Sequence, residues 1–226
     1  KSLANIMFIF GLATAAGILY MSFLNTGSTN NAFYSAIIAL IGVFVGYFYT
    51  AKPIRLSSRY GLGELSIFLS FGPLLTLGTG FAIANETILL YSNEFYNLLI
   101  LGVPIGLLTT NILFINQYPD YASDKKVGKN HLVVLFGKKA SRWIYGLNLI
   151  LALGSLYLIA DNILIGTKQV LFIFVLIPIT MFYSYFLLSG LFKYYDSRKL
   201  IKYNIHTIYF HMLFSFIYMI ILANFQ

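Results

Sequence analysis

The sequence predicts an all-α fold, a polytopic transmembrane helical bundle, on three observations. Apolar residues make up 59% of the 226-residue chain and charged residues only 10%, where soluble domains carry roughly 25% charged residues. The apolar residues gather into seven runs, each near the roughly 20 residues that a helix needs to cross a bilayer. The basic residues sit in alternate connections between those runs.

The first span is read at 3–24, with Lys1 before it. No charged leader and cleavage site precede that run, so it is not read as a signal peptide. The second span, 32–50, leads into a connection at 51–64 that carries Lys52, Arg55 and Arg59. The third span is 65–84, and the connection near 85–94 has no Lys or Arg. The fourth is 95–117. The connection at 118–140 then carries Lys125, Lys126, Lys129, Lys138 and Lys139, and Arg142 opens the fifth span at 141–160. The connection 161–167 is again free of Lys and Arg, and Lys168 marks the start of the sixth span, 168–190. Lys193, Arg198, Lys199 and Lys202 fill 191–203 before the seventh span, 204–225. Glycines and the prolines Pro104 and Pro178 inside these runs are tolerated in membrane helices. A transmembrane barrel would instead show alternating segments of about 10 residues.

Fourteen of the fifteen Lys and Arg residues thus fall on one side of the predicted bundle. The positive-inside rule makes that side cytoplasmic and turns the C-terminus outward. The expected location is an integral protein of the cell (plasma) membrane. A net charge of +8 could point to nucleic acid. The cations lie in short connections, however, with no basic amphipathic face and no aromatic RNA-binding pattern. No nucleic-acid partner is expected; anionic membrane lipid and a phosphate-bearing substrate account for the excess. With no cysteine in the chain, thiol catalysis, thiolate metal sites and disulfides are excluded.

Chemistry concentrates in Asn116-Gln117-Tyr118-Pro119-Asp120-Tyr121-Ala122-Ser123-Asp124-Lys125-Lys126-Val127-Gly128-Lys129. Asn116, Asp120 and Asp124 are four residues apart, which on a helix lines them along one face. Hard oxygen ligands so arranged suit Mg²⁺, and the lysines beside them suit phosphate. The other reading is of ordinary loop acids offsetting Lys125, Lys126 and Lys129. Pro119 is expected to interrupt the helix, and Asn116 at a span end also reads as a simple polar cap. A second unusual connection runs from Tyr47 to Glu64 and mixes cations, aromatics and glycines. The Lys193–Lys202 connection lacks that pattern and reads as a topology anchor.

At these two connections the chain resembles the UbiA superfamily of intramembrane prenyltransferases. Asn116-xxx-Asp120-xxx-Asp124, followed by Lys125-Lys126-Val127-Gly128-Lys129-Asn130-His131-Leu132-Val133-Val134, is similar to the second aspartate motif of that family. Its continuation is close to that of the MenA-like subgroup, the 1,4-dihydroxy-2-naphthoate polyprenyltransferases. Tyr49-Thr50, Pro53, Gly61-Leu62-Gly63-Glu64, Phe68, Phe71-Gly72-Pro73 and Leu77-Gly78-Thr79 resemble the same subgroup's earlier cytoplasmic loop and following helix. The resemblance implies nine helices and two aspartate motifs. Seven spans and one motif are read here, so the expectation is a single prenyltransferase domain over 1–226 that begins just before the family's third helix.

What the resemblance implies is transfer of a polyprenyl group from an allylic polyprenyl diphosphate to an aromatic acceptor, with Mg²⁺ assisting. Asp120 and Asp124 are the expected catalytic and metal-binding residues, with Asn116 as a third metal ligand. Lys52, Lys129, Lys125 and Arg55 are candidates for the diphosphate, although positive-inside anchoring alone would also place cations there. Tyr49, Tyr118, Asn111 and Arg59 are candidates for substrate binding. An interfacial tyrosine belt explains Tyr49 and Tyr118 equally well, and Asn111 would also serve simply to bond another helix. Glu64 is expected either to complement a helix N-terminus or to point into the site. His131 is expected at the surface, and His206 and His211 packed against neighbours. The competing classes are a relative that uses 4-hydroxybenzoate or geranylgeranylglyceryl phosphate as acceptor, and a non-catalytic membrane protein or transporter. A transporter would more typically show internal repeats and midplane ionisable groups, which this chain does not.

Overall fold

A computed structural model describes residues 2–26 and 29–223. Its helices are α1 (Ser2–Thr26), α2 (Thr29–Thr50), α3 (Leu62–Phe71), α4 (Pro73–Ile83), α5 (Asn93–Lys126), α6 (Leu132–Asn162), α7 (Gly166–Leu171), α8 (Ile177–Tyr194) and α9 (Leu200–Ala223). A π-helical turn at Phe172–Leu176 joins α7 to α8. Among the described residues there is no β-strand, only an isolated backbone bridge between Arg59 and Asn130. Six helical segments are long and apolar enough to cross a membrane, and α1, apolar over Ile9–Met21, adds a seventh apolar helix.

Two spans are broken where the sequence demands it. The third splits into α3 and α4 at Gly72-Pro73. Proline has no N–H and cannot continue the hydrogen-bond ladder, so it opens a new helix instead. The break lies hard against α5. A Cβ on Gly72 would come 2.7 Å from the Gly102 carbonyl oxygen and 2.8 Å from Gly106 Cα. Small residues allow this backbone approach between membrane helices. In the sixth span, the π turn precedes Pro178 and leaves the run Gly166–Tyr194 otherwise helical.

Helix α5 is the axis of the bundle and packs against α3, α4, α6 and α9. Its buried Leu107, Leu108, Phe114, Ile115 and Tyr118 join one core with Tyr145, Leu149 and Leu156 of α6 and Phe210 and Phe214 of α9. Polar groups at this depth are bonded between helices. Tyr218 Oη donates to the Leu101 carbonyl at 2.7 Å. Tyr145 Oη and Thr207 Oγ1 are 3.0 Å apart, and Thr109 Oγ1 and His211 Nε2 2.8 Å apart. His206 packs edge-on against Phe186 at 5.1 Å. Both histidines therefore pack against neighbours, as the sequence suggests.

The up-and-down alternation is visible at both ends. At one end, Asn130 N–H donates to Ser58 O at 3.0 Å and Lys138 pairs with Asp196 at 2.8 Å, which brings the three basic connections together. At the other end, Asn31 Nδ2 donates to Glu86 O at 2.8 Å and Lys168 Nζ to Leu222 O at 3.1 Å.

Candidate active site

The three oxygen-bearing residues of the motif share one continuous helix. The sequence reading ends the fourth span at 117 and lets Pro119 interrupt it, but α5 runs unbroken through Pro119 to Lys126. Tertiary packing outweighs the lost N–H of Pro119: Gln117 and Tyr118 are buried on one side of the proline and Asp124 on the other. The predicted connection 118–140 shrinks to residues 127–131, because α6 starts at Leu132 and bends at Gly137, where φ is 76°. That positive φ suits glycine.

The three residues have different surroundings. Asp120 is exposed, and among the described residues its carboxylate has no hydrogen-bond or ion-pair partner. Asp124 is nearly buried and held at both oxygens: Lys129 Nζ lies 2.8 Å from Oδ1 and His131 Nε2 3.1 Å from Oδ2. Asp124 lies past the apolar run 95–117 of α5. Burial works to raise its carboxyl, but the hydrogen bonds from Lys129 and His131 outweigh burial and hold it below the ordinary carboxylate range. Asn116 is exposed, and its Oδ1 accepts from Asn204 Nδ2 of α9 at 2.6 Å.

His131 departs from the expectation of a surface residue. It is 2% exposed and is the N-cap of α6, where Nδ1 accepts from Val134 N–H at 3.4 Å. A ring nitrogen that accepts carries no proton, which assigns the proton to Nε2, facing Asp124. The signal for this role was local: a polar residue directly before the apolar run Leu132-Val133-Val134 is an N-cap position.

Glu64, expected at a helix N-terminus or in the site, meets a helix start and a second helix together. It is 4% exposed, and Oε1 accepts from both Gln117 Nε2 and Leu132 N–H, each at 3.0 Å. Gln117 was not singled out in the sequence. The available signal was that an acid opening an apolar span needs a buried partner.

The remaining candidates divide. Lys52 and Arg55 are exposed on the 51–61 connection. Arg59 Nη2 donates to Pro53 O at 2.7 Å, and its backbone pairs with Asn130, so it organises the connection. Lys125 lies 5.7 Å from the Tyr121 ring centroid. Tyr49 lines an apolar cleft of about 340 Å³ between α2 and α3, with Val45, Ser66 and Ile67. Asn111 is buried, and both ends of its amide meet α6: Nδ2 donates to Tyr145 O at 3.2 Å and Oδ1 accepts from Asn148 at 2.9 Å. Tyr118 is fully buried and its hydroxyl has no partner. It lines a cleft of about 330 Å³ with Pro119, Lys138, Tyr195, Arg198 and Leu200. The Lys193–Lys202 connection, read above as a topology anchor, therefore also walls a cleft beside the motif.

The donor set suits Mg²⁺ in one limited way. Among the described residues no three His, Cys, Asp or Glu side chains gather as a metal cage. Asp120 offers an uncommitted hard-oxygen ligand, and Asp124 one turn away keeps lone pairs beyond its two hydrogen bonds. Mg²⁺ commonly takes one or two carboxylates and completes its shell with water and substrate phosphate.

Fold and site together define a polytopic helical membrane protein with a carboxylate and lysine cluster at one end of its central helix. The model of the UbiA prenyltransferase family matches residues 2–220, and the chain belongs to that family. It is 33% identical over 161 residues to a 2-carboxy-1,4-naphthoquinone phytyltransferase of Synechocystis sp., covering 69% of this chain and 46% of that protein. It is 26% identical over 132 residues to a 1,4-dihydroxy-2-naphthoate octaprenyltransferase of Bacillus subtilis, covering 58% and 38%. It is 34% identical over 100 residues to the Escherichia coli protein of the same name, covering 44% and 29%. The chain thus spans less than half the length of these curated relatives. No solved structure gives a significant match.

Proposed function

We propose that the chain acts in a prenyltransferase that moves a polyprenyl group from an allylic diphosphate to an aromatic acceptor of the 1,4-dihydroxy-2-naphthoate class. The observation that carries this is the continuous helix through Asn116, Asp120 and Asp124, ending beside Lys129 in a member of the UbiA family. We further propose that residues 1–226 act as one domain of an integral protein of the plasma membrane, with this end cytoplasmic.

Asp120 and Asp124 would hold Mg²⁺, with Asn116 on the same face. Bound there, the ion supplies charge neutralisation for a departing diphosphate. Lys129 uses one of its three ammonium protons on Asp124 and keeps the others for phosphate oxygens. Lys52 and Arg55, exposed on the neighbouring connection, add positive charge for the same group. The allylic C–O bond breaks with its electron pair leaving on the diphosphate; an electron-rich ring carbon attacks the cation and then releases its own substituent, a proton or, where that carbon bears the carboxylate, carbon dioxide, leaving the bonding pair in the ring. Water has to be kept from that cation; the packed face of α5, with Phe114 and Tyr118, forms a dry wall beneath the motif. The cleft lined by Tyr118 and Arg198 is the proposed acceptor entrance: its apolar surfaces suit a ring, and the Arg198 guanidinium suits the ring's polar substituents.

The test is diphosphate release by the complete protein in lipid nanodiscs with Mg²⁺ and a polyprenyl diphosphate. Naphthoate, hydroxybenzoate and prenylglycerol phosphate acceptors are compared in parallel. Product with naphthoate alone supports the reading; product with another acceptor reassigns the substrate. No product with any acceptor rejects prenyl transfer.

A further inference from the structure

Glu64 sits far from the motif in sequence and touches both of its ends in space. Its Oε1 accepts from Gln117 Nε2, three residues before Asp120 on α5, and from Leu132 N–H at the start of α6. Leu132 follows His131, whose ring proton holds Asp124 Oδ2. A single carboxylate oxygen therefore joins the two strands of chain that enclose residues 118–131. Beside it, Asn130 N–H donates to Ser58 O and the backbone of Arg59 pairs with Asn130. Gly61 completes the fit, since a Cβ there would meet Leu132 Cδ2 at 2.7 Å.

The carboxylate is buried without a cation beside it. No salt bridge to Glu64 occurs among the described residues; its partners are an amide N–H and a backbone N–H at a helix N-terminus. The positive end of α6 favours an anion there. Both partners are neutral hydrogen-bond donors, which is what holding a loop requires.

We propose that Glu64 is a positioning residue: through Leu132 and His131 it fixes Asp124, and through Gln117 it fixes the register of α5 below Asp120. The consequence for function rests on the prenyl-transfer reading; the consequence for structure does not. Removal of an outer partner of a ligating group typically lowers metal affinity or activity about 10–100-fold.

The experiment compares Glu64→Ala, Glu64→Gln and wild type, using the complete protein in nanodiscs. Two readouts are taken: hydrogen–deuterium exchange over residues 124–136, and the KM for polyprenyl diphosphate against kcat across a Mg²⁺ titration. Glutamine keeps an acceptor oxygen for Leu132 and Gln117 but loses the charge. Positioning predicts that Glu64→Ala raises exchange and shifts the Mg²⁺ dependence to higher concentration, and that Glu64→Gln restores both. Unchanged exchange in Glu64→Ala overturns the proposal. So does a Glu64→Gln variant as inactive as Glu64→Ala with wild-type exchange, since that marks contact with reacting groups. If wild type transfers no prenyl group, the functional reading fails while the exchange comparison still decides the positioning role.

Discussion

His131 Nε2 lies 3.1 Å from Asp124 Oδ2, and the opposite ring nitrogen of the same histidine caps α6. One imidazole thus fixes a helix start and a carboxylate together. Replacing it by alanine removes the cap, at a cost of about 1 kcal/mol, and frees one oxygen of Asp124. His131→Asn restores an oxygen acceptor suited to the cap but is too short to reach Asp124 in the same way. Thermal unfolding in detergent should therefore fall for His131→Ala and recover in His131→Asn, while diphosphate release stays low in both. Recovery of both quantities in His131→Asn would separate the histidine from the aspartate.

Asp120 and Asp124 should respond differently to neutralisation. Asp120 is exposed with a free carboxylate, so Asp120→Asn is expected to abolish Mg²⁺-dependent diphosphate release and leave the melting temperature near wild type. Asp124→Asn removes the negative charge from the acceptor of a charge-assisted hydrogen bond from Lys129, a class of interaction of about 1.5–3 kcal/mol. It should lower both activity and melting temperature. Equal melting temperatures for the two variants would contradict this division.

The Gly72 break tests the packing around α5. Alanine there would place a methyl carbon within 2.8 Å of the α5 backbone, and overpacking of this kind costs about 1–3 kcal/mol. Gly154, around which nothing lies within 4 Å, is the control. A loss of stability for Gly72→Ala and none for Gly154→Ala is expected in detergent unfolding.

Tyr118 carries a buried hydroxyl with no partner. Tyr118→Phe removes a group that makes no bond in the protein, so stability should hold or rise. If the neighbouring cleft admits the acceptor, Arg198→Ala, which removes the exposed guanidinium there, should raise the KM for naphthoate and leave that for the prenyl diphosphate unchanged. A steady-state comparison of the two constants is decisive.

Asn111→Ala removes two bonds to α6. Interhelical hydrogen bonds in membranes average about 0.6 kcal/mol, so a small drop in stability is expected and no change in acceptor preference. A change of preferred acceptor in product analysis would return Asn111 to the substrate-binding set.

How much of this was legible follows from the physics of each signal. Span positions were readable because a membrane helix needs a long apolar run, and the charge alternation fixed their order. That Asn116, Asp120 and Asp124 share one helix was readable because their spacing of four is a property of the helix itself. The end of α5 was not, because Pro119 argues locally for a stop and only burial of Tyr118 and Asp124 by distant elements argues against it. Gln117 is hidden for the same reason, since its partner Glu64 is 53 residues away; His131 has only near neighbours as partners, three and seven residues off, and its burial is what a local reading lacks. Glu64 stood between, marked as unusual by its acidity at a span start but not by what it touches.

The length of α5 sets a boundary for the chemistry. Its 34 residues span about 51 Å, whereas the oily interior of a bilayer is about 30 Å thick. A helix of this length overruns that interior if it crosses upright, and its polar stretch, with Asp120 and Asp124, lies past the apolar run 95–117. On the prenyl-transfer reading proposed above, a lipid diphosphate held at that end would keep each of its halves in the solvent it already occupies. Its charged end would not be dragged into oil, nor its tail into water, and the helix would then act as a ruler that matches a two-phase molecule to a two-phase environment.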